Sequence, residues 1–503
     1  MAILPGSTKD DGTSAADERT PLLTSPENGS PSTRHDEQIL PSDVNGDLKH
    51  SGNLNTAGNL DDKPMPYVQI LLLCYATLCE PVAYFSIFPF INEMIERTGG
   101  IDKKNVGFYS GLIESLFSLV QMVLMIFYGQ AADRFGRKPV LIFSLAGVSV
   151  ATALFGMSTT LWQMIAFRCL AGVFAGSVVT VRVMLSENTT KITQARAFSW
   201  YMFTKNCGIF IGPLIGGGLA NPATEYPGIF TAQFFKDYPY ALSTFTASAV
   251  CLTATLSSLF FLKETRIRKS SGGASSEPEM STWKVLKAPG VAIVLYIFGH
   301  TMTIALAYTA VSPAMQYTPV NLGGLGFSAK YIACTIALGG VSQAAWMLAA
   351  FPLMQKRLGT GGVLYLCAIA WPIFMAAFPV LNECLRHGWI VAFWVIGVPS
   401  IIIGSGVSMA FACVQLCIND ISPSPEVLAT VNSLALTVNS AMRAVTPVAA
   451  TSLFAVGVKL QWADGHLVWF FIIALAAGLN IAFPFLPERA RDSPASRARA
   501  NDE

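Results

Sequence analysis

Long apolar runs separated by short polar gaps fill the chain from about residue 66 to residue 487. Each run reaches the roughly 20 residues that an α-helix needs to cross a hydrocarbon core. Twelve such windows are legible: 67–91, 107–130, 139–158, 161–184, 196–220, 239–262, 290–314, 328–353, 361–381, 389–412, 427–456 and 465–486. The pattern predicts an all-α integral membrane protein with twelve transmembrane helices. Its widest interior gap, 263–289, carries Arg268-Lys269-Ser270-Ser271-Gly272-Gly273 and reads as a flexible basic linker. The linker divides the chain into an N-terminal six-helix bundle, 66–262, and a C-terminal one, 290–487.

The ends are different material. Residues 1–63 are rich in Ser, Pro, Asn, Asp and Gly and predict a disordered tail, and 488–503 form a second short tail. Met1-Ala2-Ile3-Leu4-Pro5 breaks off before the apolar core of a signal peptide can form, so the first helix is expected to act as an uncleaved anchor. Glu18-Arg19-Thr20-Pro21-Leu22-Leu23 fits an acidic dileucine sorting address, a pattern that polar tails also produce by chance.

Charge distinguishes the two sides of the membrane. With the N-terminus in the cytoplasm, Arg134, Arg137, Lys138, Lys191, Arg196, Lys263, Arg266, Arg268, Lys269, Lys356, Arg357, Arg489 and Arg491 fall inside. Arg97, Lys103, Lys104, Lys236, Lys330, Arg386 and Lys459 fall outside, and both termini are therefore expected to be cytoplasmic. Composition agrees: 13% of residues are charged, 52% are hydrophobic, and the net charge of +2 gives no reason to expect a nucleic-acid partner. Nine of the ten cysteines fall in the apolar windows, where small apolar packing is the expected role.

Two motifs stand out. The polar gap Gly129-Gln130-Ala131-Ala132-Asp133-Arg134-Phe135-Gly136-Arg137-Lys138 joins the second and third runs as G-x-x-x-D-R-x-G-R-K. Gly129 would let helices approach, Asp133 could cap a neighbouring helix, and Arg134, Arg137 and Lys138 would hold the segment inside. In the fifth run, Gly208, Gly212, Pro213, Gly216 and Gly217 form G-x-x-x-G-P-x-x-G-G, with Ser199 nine residues ahead. Glycines four apart open a groove for a neighbouring backbone, and Pro213 removes one helical hydrogen bond.

The first motif resembles the signature loop of the major facilitator superfamily, and the second resembles the fifth-helix signature of its twelve-helix drug:proton antiporters. Together with Glu80-Pro81-Val82-Ala83-Tyr84, Asn221-Pro222 and Tyr238-Pro239-Tyr240 they resemble the zinc-induced-facilitator-like branch, its fungal members above all, over 66–487. The plant branch has Trp where Tyr128 stands and a Pro-Glu-Thr-Leu-His string where Lys263-Glu264-Thr265-Arg266 stands. The resemblance implies an alternating-access secondary transporter, with the Asp133 segment as a conformational latch and the fifth-helix motif marking antiport. Gln355-Lys356-Arg357-Leu358-Gly359 after the eighth run could be a decayed copy of the first motif.

Charges inside the apolar windows each ask for a reason, since one at a helix centre costs on the order of 3 kcal/mol or more. Those deepest in their windows and singled out here are Glu80, Glu114, Arg168, Lys205 and Arg443. The resemblance also points to Arg168, in Arg168-Cys169-Leu170-Ala171-Gly172, as an influence on proton transfer. Glu80 is expected to carry the coupling proton with its acidity tuned by Arg168; a fixed Glu80–Arg168 ion pair is the alternative, and Glu114 is a competing proton site. Lys205 could neutralise either acid. Arg443 could face a central cavity or snorkel, and Gln343, Gln415, Asn432, Asn439 and Asn206 could line the same cavity. His300 could titrate, although a lone His on an apolar helix is more often a packing residue.

Other classes fit less well. A membrane enzyme would need His, Asp and Glu clustered at one membrane face, and no phosphate-binding loop is present for ATP-driven transport. A non-transporting nutrient sensor would have longer tails and fewer membrane charges. The sequence thus predicts a monomeric, proton-coupled antiporter, not an enzyme, with no cofactor or metal site. Its place would be the plasma or vacuolar membrane, and drugs, secondary metabolites and organic metal chelates remain open as substrates.

Overall fold

The computed structural model describes residues 65–265, 285–421 and 425–488. The proposed disordered tail, the dileucine address, Arg266, Arg268, Lys269, Arg489 and Arg491 lie outside the described residues, as does most of the basic linker. Every long element described is a helix, the structure in which an apolar segment satisfies its own backbone hydrogen bonds within lipid. In the N-terminal half the helices are α1 (Tyr67–Phe85), α2 (Lys103–Phe135), α3 (Arg137–Gly156), α4 (Leu161–Glu187), α5 (Lys191–Gly218) and α6 (Ala241–Phe261). In the C-terminal half, α7 (Val291–Tyr317) is followed by one apolar run, Ala329–Arg386, which turns back at Gly359 to give α8 (329–358) and α9 (360–386). After these come α10 (Ile390–Asp420), α11 (Pro425–Leu460) and α12 (Leu467–Phe485).

Ten described stretches, the folded-back pair counted as one, are long and apolar enough to cross a membrane. The bend at Gly359 makes them eleven, and α5, with Arg196 and Lys205 among its 28 residues, is the twelfth. The chain is a multi-pass membrane protein.

The polar gap between the second and third runs is scarcely a loop. α2 remains helical through Phe135, and only Gly136, at φ 108° and ψ 155°, separates it from α3. Gly359 adopts nearly the same conformation, φ 74° and ψ 170°, between α8 and α9. Two matched glycine corners thus stand at equivalent places in the two halves, where a left-handed φ excludes most other residues.

Buried apolar side chains gather by half. One cluster draws on residues from Val285 to Leu486, whereas those around Leu73, Leu145 and Cys251 and around Phe90, Ile113 and Phe155 belong almost wholly to the first half. Between the halves, α2 packs on α11 and α5 on α8. A Cβ on Gly107 would meet the Phe454 ring, and one on Gly111 would run into Thr451 and the Pro447 carbonyl. The Val448 N–H donates to Ser115 Oγ at 3.0 Å, the Tyr317 hydroxyl donates to Glu96 at 2.5 Å, and Lys330 pairs with Glu225 at 3.6 Å. These contacts lie toward the end where α2 begins, and they close the molecule there.

Candidate functional site

The fourth helix is broken where it passes the second. After Phe174 the backbone leaves helical geometry at Ala175, and a new segment begins at Ser177. The carbonyls freed by the break are taken up by side chains from α2 and α3, as buried polar backbone requires. Tyr128 donates to Val173 at 2.7 Å, Ser144 to Phe174 at 2.5 Å and Gln121 to Ala175 at 2.9 Å.

The break also prepares a place for Glu80. This carboxylate, 8% exposed, accepts from Gln121 Nε2 at 2.7 Å and from Ser177 Oγ at 2.8 Å. It faces the N-terminus of the Ser177–Glu187 segment, where helical N–H groups favour negative charge. Arg168 is not its partner: among the described residues no ion pair joins Glu80 to any base, so the alternative of a fixed Glu80–Arg168 ion pair is not formed.

Arg168 belongs to a second constellation, built around Glu114. Glu114 is 3% exposed and accepts from the Tyr84 hydroxyl at 2.7 Å. The Arg168 guanidinium, 4% exposed, lies 4.4 Å from the Phe117 ring centre and 5.0 Å from that of Tyr84. Its Nε and Nη2 are buried without a hydrogen-bond acceptor. Arg443 reaches across from α11 to within 5.3 Å of the same Tyr84 ring, so the C-terminal half contributes a cation to a cluster otherwise made by the N-terminal half. Glu114 and both arginines lie within electrostatic range of one another.

Lys205 is half-buried on α5, with Arg182, Arg443 and Glu80 as its electrostatic neighbours. Arg182 donates to the Tyr201 hydroxyl at 3.2 Å. Asn439 is half-buried on α11. Gln343 lines a separate cavity of about 230 Å³, walled mainly by α7 to α10 and closed on one side by Phe85, Phe88 and Ile209. Gln415 donates to Asn432 at 2.9 Å, away from that cavity. His300 joins Leu475 O at 2.8 Å and Tyr296 at 3.3 Å, the arrangement of a packing residue between α7 and α12.

The segment joining α2 to α3, expected to act as a latch, is organised by a residue outside its own motif. Glu264, just past α6, accepts from the backbone N–H groups of Arg137 and Lys138 at 2.9 and 3.0 Å and so caps α3. Asp133 caps no helix; its 75% exposed carboxylate pairs with Arg137 at 2.8 Å. Arg137 also binds Glu187 at 3.2 Å and donates to Ala132 O at 2.8 Å, which ties α2, α3 and α4 together. Gly129 has open space where a Cβ would stand and supports no close helix approach. Arg134 ends α2, and Lys138 lies in the first turn of α3.

The fifth-helix glycines behave as their spacing suggests. A Cβ on Gly208 would come within 2.6 Å of Pro81, one on Gly212 within 3.0 Å of the Val82 carbonyl, and one on Gly216 would overlap the Ser86 carbonyl. All three therefore press on the backbone of α1 just beyond Glu80. Gly217 faces the other half, with its Cβ position 2.5 Å from the Ala329 carbonyl, and Pro213 lies inside the helix between them.

The family model described as Major Facilitator Superfamily matches residues 73–447. The chain belongs to the major facilitator superfamily. A relative from Aspergillus niger, the efflux pump azaK, is 45% identical over 455 residues, covering 90% of this chain and 95% of that pump. The Arabidopsis thaliana protein ZINC INDUCED FACILITATOR 1 is 25% identical over 464 residues, covering 84% and 92%. Among solved structures, a bacterial homologue of the human lysosomal transporter Spinster, inward-facing and occupied, aligns with a TM-score of 0.62 at 15% identity. It covers 86% of this chain and 99% of that one, and the likeness concerns the fold. This facilitator is thus a membrane transporter by family.

The site contains partners that the sequence reading missed: Tyr84, Gln121, Ser177 and Arg182. Gln121 and Arg182 are polar residues inside apolar windows, so a stricter search for such residues would have found them. Ser177 becomes prominent only once α4 is known to break.

Proposed function

We propose that this facilitator is a proton-coupled antiporter that exports a small organic molecule from the cytosol. The halves 66–262 and 290–487 rock about the centre, and both termini are cytoplasmic. The observation that carries the reading is the Glu114–Tyr84–Arg168–Arg443 cluster. It joins a buried carboxylate of one half to a cation of the other, so protonation changes the attraction between halves that must separate. Adjacent Ser115 makes the cross-half bond to Val448, which places the acid beside a contact that opening must break.

On this reading Glu114 carries the coupling proton, and Glu80, already holding two donors at a helix N-terminus, holds α1 against the broken α4. The closed end corresponds to the extracytoplasmic side, consistent with the positive charges gathered around Arg137. Export, rather than uptake, is supported by the likeness to the azaK efflux pump along 90% of the chain. The plasma membrane and the vacuolar membrane both fit this direction.

The test uses the full chain in proteoliposomes with a trapped pH dye and a panel of anionic, zwitterionic and cationic organic molecules. At least one molecule is expected to drive proton movement opposite to its own. Accumulation of a substrate without proton movement would overturn antiport.

A further inference from the structure

The middle of the membrane region holds more positive charge than the protein itself neutralises. Arg168, Arg182, Lys205 and Arg443 stand there against two carboxylates, Glu80 and Glu114. Both acids already accept hydrogen bonds from neutral donors, Glu80 from Gln121 and Ser177 and Glu114 from Tyr84. Among the described residues no ion pair joins any of the four bases to either acid. Three of the bases are instead held against rings, Arg168 by Phe117 and Tyr84, Arg182 by Tyr201 and Arg443 by Tyr84. Arg443 of one half and Lys205 of the other lie within electrostatic range of each other. Guanidinium groups stay charged, and desolvated cations without counter-charges are costly.

Beside this basic centre lies the cavity walled by aromatic side chains, among them Phe85, Phe88, Phe327, Phe378 and Trp394. No Asp, Glu, Lys, Arg or His lines it. Phe85 and Phe88 also contact the Tyr84 ring, 5.0 and 5.4 Å between centres, and Tyr84 is the ring on which Arg443 rests. The apolar chamber is thus linked to Arg443 through the Phe85, Phe88 and Tyr84 rings, while Arg443 and Lys205 themselves stand outside its lining. A molecule with a flat apolar body and one acidic group matches both parts: the body is stabilised by burial among rings, the acid by charge-assisted hydrogen bonds.

We propose that the exported molecule is an aromatic organic anion, its acidic group taken by Arg443 and Lys205 and its ring system by the adjoining cavity. The proposal rests on the transporter reading above and gives it a substrate class. The bound anion supplies the missing counter-charge between α5 and α11 and draws the two halves together around it. A neutral analogue leaves that charge unanswered, and a cationic analogue adds to the repulsion.

Equilibrium binding tests this without any proton gradient. Full-length protein in detergent is titrated with 1-naphthoate, 1-naphthamide and 1-naphthylmethylammonium, followed by tryptophan fluorescence and thermal shift. Naphthoate is expected to bind at least about tenfold more tightly than either analogue, the equivalent of about 1.4 kcal/mol. Arg443→Gln and Lys205→Gln should each abolish most of that preference, whereas Arg443→Lys should keep part of it. If Arg443→Gln does not fold, Lys205→Gln and Arg443→Lys carry the comparison. Equal binding of the three, preference for the amine, no response to naphthoate, or an unchanged preference in the variants would overturn the proposal. A failure of proton coupling would leave the binding preference intact, and a failure of the preference would leave substrate-driven proton flux intact, so the two readings fail separately.

Discussion

At the residue scale, one tyrosine gathers three charged groups: Tyr84 donates to Glu114, and the Arg168 and Arg443 guanidinium groups lie over its ring. Glu80, Glu114, Arg168, Lys205 and Arg443 are conspicuous because ionisable groups are rare in apolar helices. Pairing depends on how each helix is rotated about its axis, and here Arg168 stands with Tyr84, Phe117 and Glu114 and not with Glu80. Tyr84 is the clearest loss: in an aromatic-rich α1 nothing marked it as the donor to Glu114 and the platform for two guanidinium groups. The geometry of Arg168 yields a prediction, because a planar guanidinium between rings is not replaced by an ammonium. Arg168→Lys is expected to fold yet to lose at least about tenfold in transport rate, roughly the worth of one desolvated cation–π contact. Initial rates in proteoliposomes normalised to protein content check it, and an unchanged rate would remove Arg168 from the mechanism.

At the element scale, spacing was a better guide than in the polar gap. Glycines four residues apart in α5 predicted a close backbone neighbour, and that neighbour is α1 at Pro81, Val82 and Ser86. Gly216→Leu should therefore be among the most damaging single changes in the chain. Overpacking costs typically 1–3 kcal/mol, and here the obstacle is a backbone carbonyl that cannot swing aside. A large fall in monodisperse yield and melting temperature is expected on size-exclusion chromatography with thermal scanning, and wild-type behaviour would disprove the packing.

The first motif was recognisable as a pattern, but its physical reading was only partly right. Helix α2 runs through it, Gly129 meets nothing, and the cap of α3 comes from Glu264, over a hundred residues away in sequence. No local rule could have supplied that distant cap. Glu264→Ala is expected to lower stability by about 0.5–2 kcal/mol, the range for loss of an N-terminal cap. Thermal unfolding checks it, with Asp133→Ala as a control of smaller effect because that carboxylate pairs with a side chain and caps no backbone N–H.

At the scale of the whole molecule, the number of apolar runs was legible because twenty apolar residues have few alternatives to crossing a bilayer. The place where the halves meet was not. It depends on Gly107 and Gly111 receiving Phe454 and Thr451, contacts between residues more than three hundred positions apart. If the halves must part there during transport, joining Ser115→Cys to Val448→Cys should stop transport, and a reductant should restore it. Full activity in the cross-linked protein would show that this seam does not open.

The proposed coupling of proton movement to rocking of the halves through Glu114 is decided by substrate-driven proton flux in Glu114→Gln and Glu80→Gln proteoliposomes, measured beside substrate exchange without a gradient. Glu114→Gln is expected to abolish proton flux while exchange continues, and Glu80→Gln to slow both but keep them coupled. Proton flux that survives in Glu114→Gln and vanishes in Glu80→Gln would contradict it and return the coupling site to the first helix.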